Sequence, residues 1–265
     1  ETLASNKQLT RQSNQLTQLT NQLKAANASL KKQDKLKDDF LNAVAHEMKT
    51  PITSIKASSE VLQDDDEMTA ELKKKFLSNI IFDTQRVANL INNMLDLEKL
   101  ASGRTKLELE EVDLTQLIQS VLNSFQPLAD KKTVALCFST DQENSTTKAD
   151  HEKLLQVFTN ILANALKFVS EKEGVIQVAI KSVEEKVHIC FTDNGKGVPV
   201  KDRPYIFDKF YQSSNQSLKK AEGSGFGLAI CRQIVQLHQG KIWLDDSYTN
   251  GAKFIVELPK YQAYG

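Results

Sequence analysis

Between Asp39 and Leu62 the apolar residues Leu41, Val44, Met48, Ile52, Ile55 and Leu62 recur at helical spacing, without the alternation of a strand. At about 100° per residue they form one stripe along an α-helix covering 36–63. Asp64, Asp65 and Asp66 make an acidic break, and Thr69 is placed to N-cap a second helix that runs to about Ser102 and stops at Gly103. The face of this second helix is wide, with Ile80, Val87, Ile91 and Met94 flanked by Ile81, Ala88, Leu90, Leu95 and Leu97. Two helices with such faces cannot bury them as a lone hairpin, whereas two hairpins forming a four-helix bundle can. The expectation is a homodimer built on an all-α helical hairpin.

The first 35 residues are polar and contain neither Gly nor Pro. Leu9, Leu16, Leu23 and Leu30 repeat every seven residues, with Leu19 and Ala26 filling part of a second column that Gln12 and Gln33 weaken. This is an a/d heptad, expected to pair two chains in a short parallel coiled coil; a solvated single helix is the alternative.

His46 lies nearly opposite the apolar stripe of its helix, with Thr50 one turn further along the same outer face. Adjacent Glu47 is a carboxylate able to orient one imidazole nitrogen or take its proton, which favours attack by the other. Pro51 has no N–H for the Glu47 carbonyl, so a bend or loosened turn is expected beside His46. A surface histidine near a proline kink would look the same.

Lys plus Arg number 34 and Asp plus Glu 34, so nothing global points to nucleic acid. Cys137, Cys190 and Cys231 lack C-x-x-C or His-Cys spacing, as in a reduced chain without a structural metal. No apolar run is long enough to cross a membrane, and no signal peptide is present. Because the chain opens inside a helical pattern, it is expected to be a cytoplasmic fragment from which any upstream domain or membrane anchor is missing, making no membrane contact itself.

From Lys106 short β-like runs appear: 106–112, 133–139, 175–182, 187–192, 241–245 and 253–258. They alternate with helical stretches at 114–129, 151–169 and 228–238. A mostly antiparallel set of strands interspersed with helices reads as an α+β two-layer sandwich, so a second domain begins near Lys106 with Gly103 at the hinge.

Chemistry concentrates in four segments of that domain. Asn160, Asn164 and Lys167 share one face of a helix capped by Asp150, and two carboxamides with an ammonium suit a hydrated Mg²⁺ and its phosphates, unless they are plain surface amides. Asp193 ends a strand and opens D-x-G-x-G through Gly195 and Gly197, which fixes an acceptor-only carboxylate at a sheet edge; a glycine-rich hairpin turn is the alternative. Ile206 to Tyr211 is an aromatic cluster, followed by a polar stretch, 212–222, that reads as a mobile lid or a plain surface loop. Gly223, Gly225 and Gly227 then lead into a helix starting at Leu228, whose free N–H groups form an anion site.

Taken together these segments resemble the boxes of sensor histidine kinases. The run Phe40 to Thr53, F-x-x-x-x-x-H-E-x-x-T-P-I-T, is similar to their H-box, and N-box, G1, F-box and G2 follow in family order over 36–259. There is no Walker A loop, and neither H-R-D-x-x-x-x-N nor D-F-G of protein kinases. The resemblance implies a coiled-coil signalling linker (1–35), a dimerisation and histidine phosphotransfer domain (36–103) and a catalytic ATP-binding domain of the GHKL (Bergerat) fold (104–265). It implies ATP and Mg²⁺ as cofactors, a homodimer, and a response-regulator receiver domain as partner.

By the same resemblance His46 accepts the γ-phosphoryl group of ATP and passes it to an aspartate of the regulator. Asn164 ligates Mg²⁺, Lys167 meets phosphate, Phe168 lies against the nucleotide and Asp193 reads adenine. Asn160 stands where related chaperone, gyrase and mismatch-repair ATPases carry a Glu that activates water, so hydrolysis is expected to be slow. Gln212 replaces an Arg common in relatives, which leaves Lys209, Lys219 or Lys220 as phosphate contacts. The H-E-x-x-T spacing implies that Thr50 positions water for dephosphorylating the regulator. Two alternatives remain, a protein acting mainly as phosphatase of its partner and a nucleotide-gated dimeric scaffold without kinase activity. His151, His188 and His238 are expected to be structural, and Trp243 to serve packing.

Overall fold

The computed structural model describes residues 2–64, 68–101, 105–141, 145–170, 173–209, 211 and 225–260. The chain divides into two compact units, Glu1–Asp83 and Thr84–Gly265, taken in turn below.

In the first unit α1 (Thr2–Asp64) is one uninterrupted helix. No Gly or Pro occurs before Pro51, so nothing in the sequence stops the helix between the heptad segment and the His46 segment. The turn expected to loosen at Pro51 stays helical, and the Thr50 hydroxyl donates to the His46 carbonyl at 3.4 Å within it. The buried line on α1 runs through Pro51 and Ser58, with Val44, Met48, Ile55 and Leu62 half-buried on either side. Their spacing of four and three keeps them on one face. Leu41 and Ile52, expected on that stripe, are exposed, Ile52 to one side of it and Leu41 at its N-terminal end. Leu16, Leu19, Leu23 and Leu30 of the heptad are 59–71% exposed.

α2 (Ala70–Ala101) begins where expected, with the Thr69 hydroxyl accepting from the Leu72 N–H at 3.4 Å and the Thr69 carbonyl from the Lys73 N–H at 3.0 Å. Ile81 and Phe82 project from it into solvent. Gly103 lies outside the described residues.

The second unit adds β1 (Glu110–Asp113), α3 (Leu114–Lys131), β2 (Val134–Thr140), β3 (Thr146–Ala149), α4 (His151–Phe168), β4 (Gly174–Val183), β5 (Lys186–Asp193), α5 (Gly227–Leu237), β6 (Lys241–Leu244) and β7 (Ala252–Pro259). Five strands form a sheet in the order β2-β4-β5-β7-β6, parallel between β2 and β4 and antiparallel elsewhere. β1 and β3 make a separate antiparallel ribbon. The first β-like run is shorter than expected because the Glu108 N–H is bonded to the Asp150 carboxylate instead of to a strand. β3, a short polar T-T-K-A segment, carries no hydrophobic alternation that would announce it.

Strand alternation sets the core. Ile176, Val178 and Ile180 of β4, Val187, Ile189 and Phe191 of β5, and Phe254, Val256 and Leu258 of β7 are buried on one face, which α3, α4 and α5 cover. The helices return matching stripes, including Ile118 and Val121, Leu154, Phe158 and Ile161, and Ile230 and Ile234. This is the two-layer α+β architecture. On the opposite face Ala179, Cys190, Ile255 and Trp243 pack together across four strands.

His238, at the end of α5, joins two helices. It is buried, accepts from the Asp150 N–H through Nε2 at 2.9 Å and donates from Nδ1 to the Ile234 carbonyl at 2.8 Å. A backbone N–H only donates, so this pair of bonds requires the neutral ring with its proton on Nδ1. Burial pulls the imidazole below its ordinary value, against the opposing pull of the Ile234 bond and the Asp150 carboxylate. With the folded value lowered, the stabilisation is complete above the unfolded value near 6.5 and is lost as pH falls below it toward the folded value. Urea unfolding at pH 7.5 and 5.5 should therefore show a drop in midpoint on acidification that is smaller in His238→Gln, which does not titrate.

Candidate functional site

Two groups of side chains carry chemistry, one on each unit. On α1, His46 and Thr50 are exposed and share a helical face, while Glu47 between them is half-buried. An exposed imidazole on a regular helix is open to a reaction partner.

In the second unit three chain segments meet. The first is the α4 face bearing Asn160, Asn164 and Lys167. Its helix starts at Asp150, whose side chain accepts from the Lys153 N–H at 3.0 Å, and it ends where the Lys132 ammonium donates to the Leu166 carbonyl at 3.0 Å. Asn160 and Asn164 are half-buried, and the Lys167 ammonium lies 4.9 Å from the ring centre of Phe168, itself largely exposed.

The second segment is the end of β5. Asp193 is on the helix-facing side of the sheet and buried, with Oδ1 accepting from the Gly195 N–H at 2.8 Å and the Ala252 N–H at 3.3 Å. Burial pushes its carboxyl above the ordinary carboxylate range, and the two backbone donors pull the other way. Asn194 holds the turn, accepting from the Val175 N–H at 2.8 Å and donating to the Glu173 carbonyl at 2.8 Å. A β-carbon on Gly195 would overlap the Phe168 carbonyl, so this turn is pressed onto the end of α4. Gly197 takes φ +66°, and a β-carbon there would stand 2.6 Å from the Gly251 carbonyl oxygen.

The third segment is the start of α5. Gly225 has φ +68°, Phe226 is buried at the N-cap without a side-chain cap bond, and Gly227 faces Asn160 so closely that a β-carbon on it would lie 3.5 Å from the amide oxygen. Leu228 is half-buried behind it. The first N–H groups of α5 are thus served by no side-chain cap and adjoin the asparagine face of α4. Lys209 is exposed in the turns after β5. Beyond it the Tyr211 hydroxyl donates to Asp202 at 2.6 Å, a bond that pushes the phenol up to about 12. Gly223, Lys219, Lys220 and the expected lid at 212–222 lie outside the described residues.

The arrangement therefore brings Asn160, Phe168, Asp193, Gly195, Gly197 and Gly227 together around α4, whereas no contact among the described residues joins Lys209 to them. A buried acceptor at the sheet end, glycine backbone beside it and helix N–H groups opposite suit a ligand with a donating ring at one end and anionic groups at the other. The two amide oxygens of α4 suit a Mg²⁺ held mainly by phosphate and water. Sequence reasoning missed Gly251. Its φ is +140°, and a β-carbon there would overlap the Asp193 carbonyl and stand 2.9 Å from the Asn194 Cα. The signal available was the Asn250-Gly251 pair just before a strand.

Residues 36–103 match the His Kinase A (phospho-acceptor) domain, and 149–262 match the histidine kinase-, DNA gyrase B- and HSP90-like ATPases. The sensor protein kinase WalK of Staphylococcus epidermidis is 31% identical over 222 residues, which cover 83% of this chain and 36% of WalK. The chain thus spans about a third of the length of that relative. Among solved structures, the catalytic domain of histidine kinase ThkA in a nucleotide-free form is 33% identical, with a TM-score of 0.53 over 58% of this chain and 97% of that one. ThkA in complex with response regulator protein TrrA is 28% identical, with a TM-score of 0.64 over 82% of this chain and 60% of that one.

Because Gly251 lets β7 pass against the Asp193 backbone, Gly251→Ala should lower unfolding stability by roughly 1–3 kcal/mol or more and weaken nucleotide binding. Chemical denaturation, with titration of a fluorescent ATP analogue, checks both.

Proposed function

This chain belongs to the sensor histidine kinases, and from that membership we propose that it phosphorylates itself on His46 with ATP and passes the phosphoryl group to an aspartate of a response regulator. The observation that carries the reading is the convergence of the buried Asp193 carboxylate, the Gly195–Gly197 turn, the α4 asparagine face and the α5 N-terminus on one site. The same chain carries an exposed histidine one turn before a threonine.

In this mechanism Asp193 accepts the exocyclic amine of adenine, a contact that a guanine carbonyl cannot replace. Phe168 lies against the base. Lys167, Lys209 and the N–H groups at Gly225, Gly227 and Leu228 hold phosphate oxygens, and the sequence adds Gly223 to the same glycine run. Asn164, with Asn160 beside it, would hold Mg²⁺, and the ion would offset charge on the phosphates. Neutral His46 attacks the γ-phosphorus through one ring nitrogen as the bond to the β–γ bridging oxygen breaks and ADP leaves. Glu47 orients the ring and receives the proton from the other nitrogen.

The exposed heptad leucines, together with Leu41, Ile52, Ile81 and Phe82, leave an apolar stripe that a second copy would cover. This supports a homodimer whose 36–103 segments form a four-helix bundle, preceded by a coiled-coil linker over 1–35 and followed by the ATP-binding domain over 104–265. ThkA, solved with response regulator protein TrrA, supports a receiver domain as the partner. The position of Thr50, exposed one turn after His46, supports a second activity in which it positions water to dephosphorylate the regulator.

Incubation with Mg-ATP labelled at the γ position should leave acid-labile, base-stable label on wild type and none on His46→Ala. A wild type that binds ATP and takes no label would remove the kinase assignment. Thr50→Ala should keep autophosphorylation while slowing dephosphorylation of a phosphorylated regulator by on the order of 10–100-fold, and equal rates would sink the Thr50 role.

A further inference from the structure

We propose that the free edge of β6 is a docking groove for an extended acidic peptide, separate from the nucleotide site. A cavity of about 730 Å³ runs there, bounded by β6, by the turns containing Arg203 and Phe207, and by Arg232 and Gln236 on α5. All four residues of β6 line it. Consecutive strand residues point to opposite faces, so a groove touched by every one of them follows the edge of the strand and not either face. Among the described residues β6 pairs with β7 alone, which makes it an edge of the sheet. Its other side carries backbone groups able to take an added strand.

The charge around this edge selects the strand that fits. Arg203, Arg232 and Lys241 line the groove against one carboxylate, Asp246. Asp246 is already held by Arg203 at 3.1 Å, and Arg203 also donates to the Val198 carbonyl at 3.0 Å, so this pair is structural and closes one end. Arg232 approaches Asp208 only to 3.9 Å, with both side chains well exposed, a pairing that contributes little. Lys241 lies 5.4 Å over the Trp243 ring, and no ion pair holds it among the described residues. Two available cations therefore flank an edge whose apolar lining includes Phe207 and, from the two opposite faces of β6, Ile242 and Trp243.

A peptide with carboxylates alternating with apolar side chains matches both features, with main-chain bonds to β6 giving affinity and the two cations giving selectivity. Four residues of strand are about 13 Å long, enough for four to six peptide residues. Two cations fall short of the several phosphate contacts from which nucleic-acid affinity is built, whereas a free strand edge is specific to a polypeptide. Asn160, Asn164 and Asp193 do not line the groove, so the inference stands apart from the kinase reading.

Trp243 is the sole tryptophan of the chain and lies in the groove wall, so its emission reports occupancy directly. Titrating the whole chain with an acetylated, amidated (Glu-Val)₃ peptide should give a saturable change in that emission that weakens as salt is raised. The double variant Arg232→Glu, Lys241→Glu should weaken it about tenfold or more while its thermal unfolding midpoint and ATP affinity match wild type. No saturable change up to millimolar peptide would overturn the proposal, as would undiminished binding by the double variant or equal binding of (Lys-Val)₃. An equal response to single-stranded oligothymidylate would assign the groove to polyanions at large and overturn the peptide.

Discussion

The passage of Gly251 over the Asp193 carbonyl is the constraint around which the second unit is organised. No residue with a β-carbon allows the two backbones to lie so close, and the approach puts the Ala252 N–H against the Asp193 carboxylate. That bond and the one from Gly195 orient an acid that burial alone would favour in its neutral form. The turn below it is fixed by Asn194 on β4 and by the end of α4, and so four segments far apart in sequence share one small volume. The polar atoms of the site are thus held by backbone, which is harder to displace than side chains packed on a surface.

The helices behind the site extend this rigidity. His238 ties the end of α5 to the start of α4, while Gly227 at the start of α5 faces Asn160 further along α4. α4 and α5 are therefore joined at both ends of their contact, and the asparagine face and the first N–H groups of α5 hold a fixed relation. Motion that admits or releases a nucleotide has to be found outside this pair. The same two helices lead outward: Arg232 and Gln236 carry α5 to the β6 edge, so one helix borders both the asparagine face of α4 and the cavity along β6.

Much of this was legible in the sequence because it rests on local periodicity. The stripes of α4 and α5 and the alternation of β4, β5 and β7 gave their positions to within a residue or two, and the Asp150 and Thr69 caps were readable from residue type. Asp193 stood out because it ends a strand before two glycines. What escaped notice depends on partners distant in sequence. β3 is a strand only because β1 lies beside it, and Thr147 donates to the Pro259 carbonyl at 2.6 Å. Gly251 needs its positive φ because of a strand 58 residues earlier, the separation from Asp193 to Gly251. His238 was rightly read as structural, but its partner Asp150 is 88 residues away and no spacing rule joins them. α1 runs on through the change in composition near residue 35, because no Gly or Pro precedes Pro51 to break it. At Pro51, too, the loss of one backbone donor did not end the helix.

β7 comes last in sequence among the described strands, yet it lies inside the sheet, between β5 and β6. During synthesis, β5 and the Asp193 turn therefore leave the ribosome well before the strand that completes them. Until residues 251–259 emerge, Asp193 lacks the Ala252 donor, β5 lacks a neighbour on one side and β6 lacks its only partner. A chain stopped a few residues short of β7 would hold nearly all of its motifs and no finished site. Competence of the site thus waits on β7, however many of the motifs are already in place.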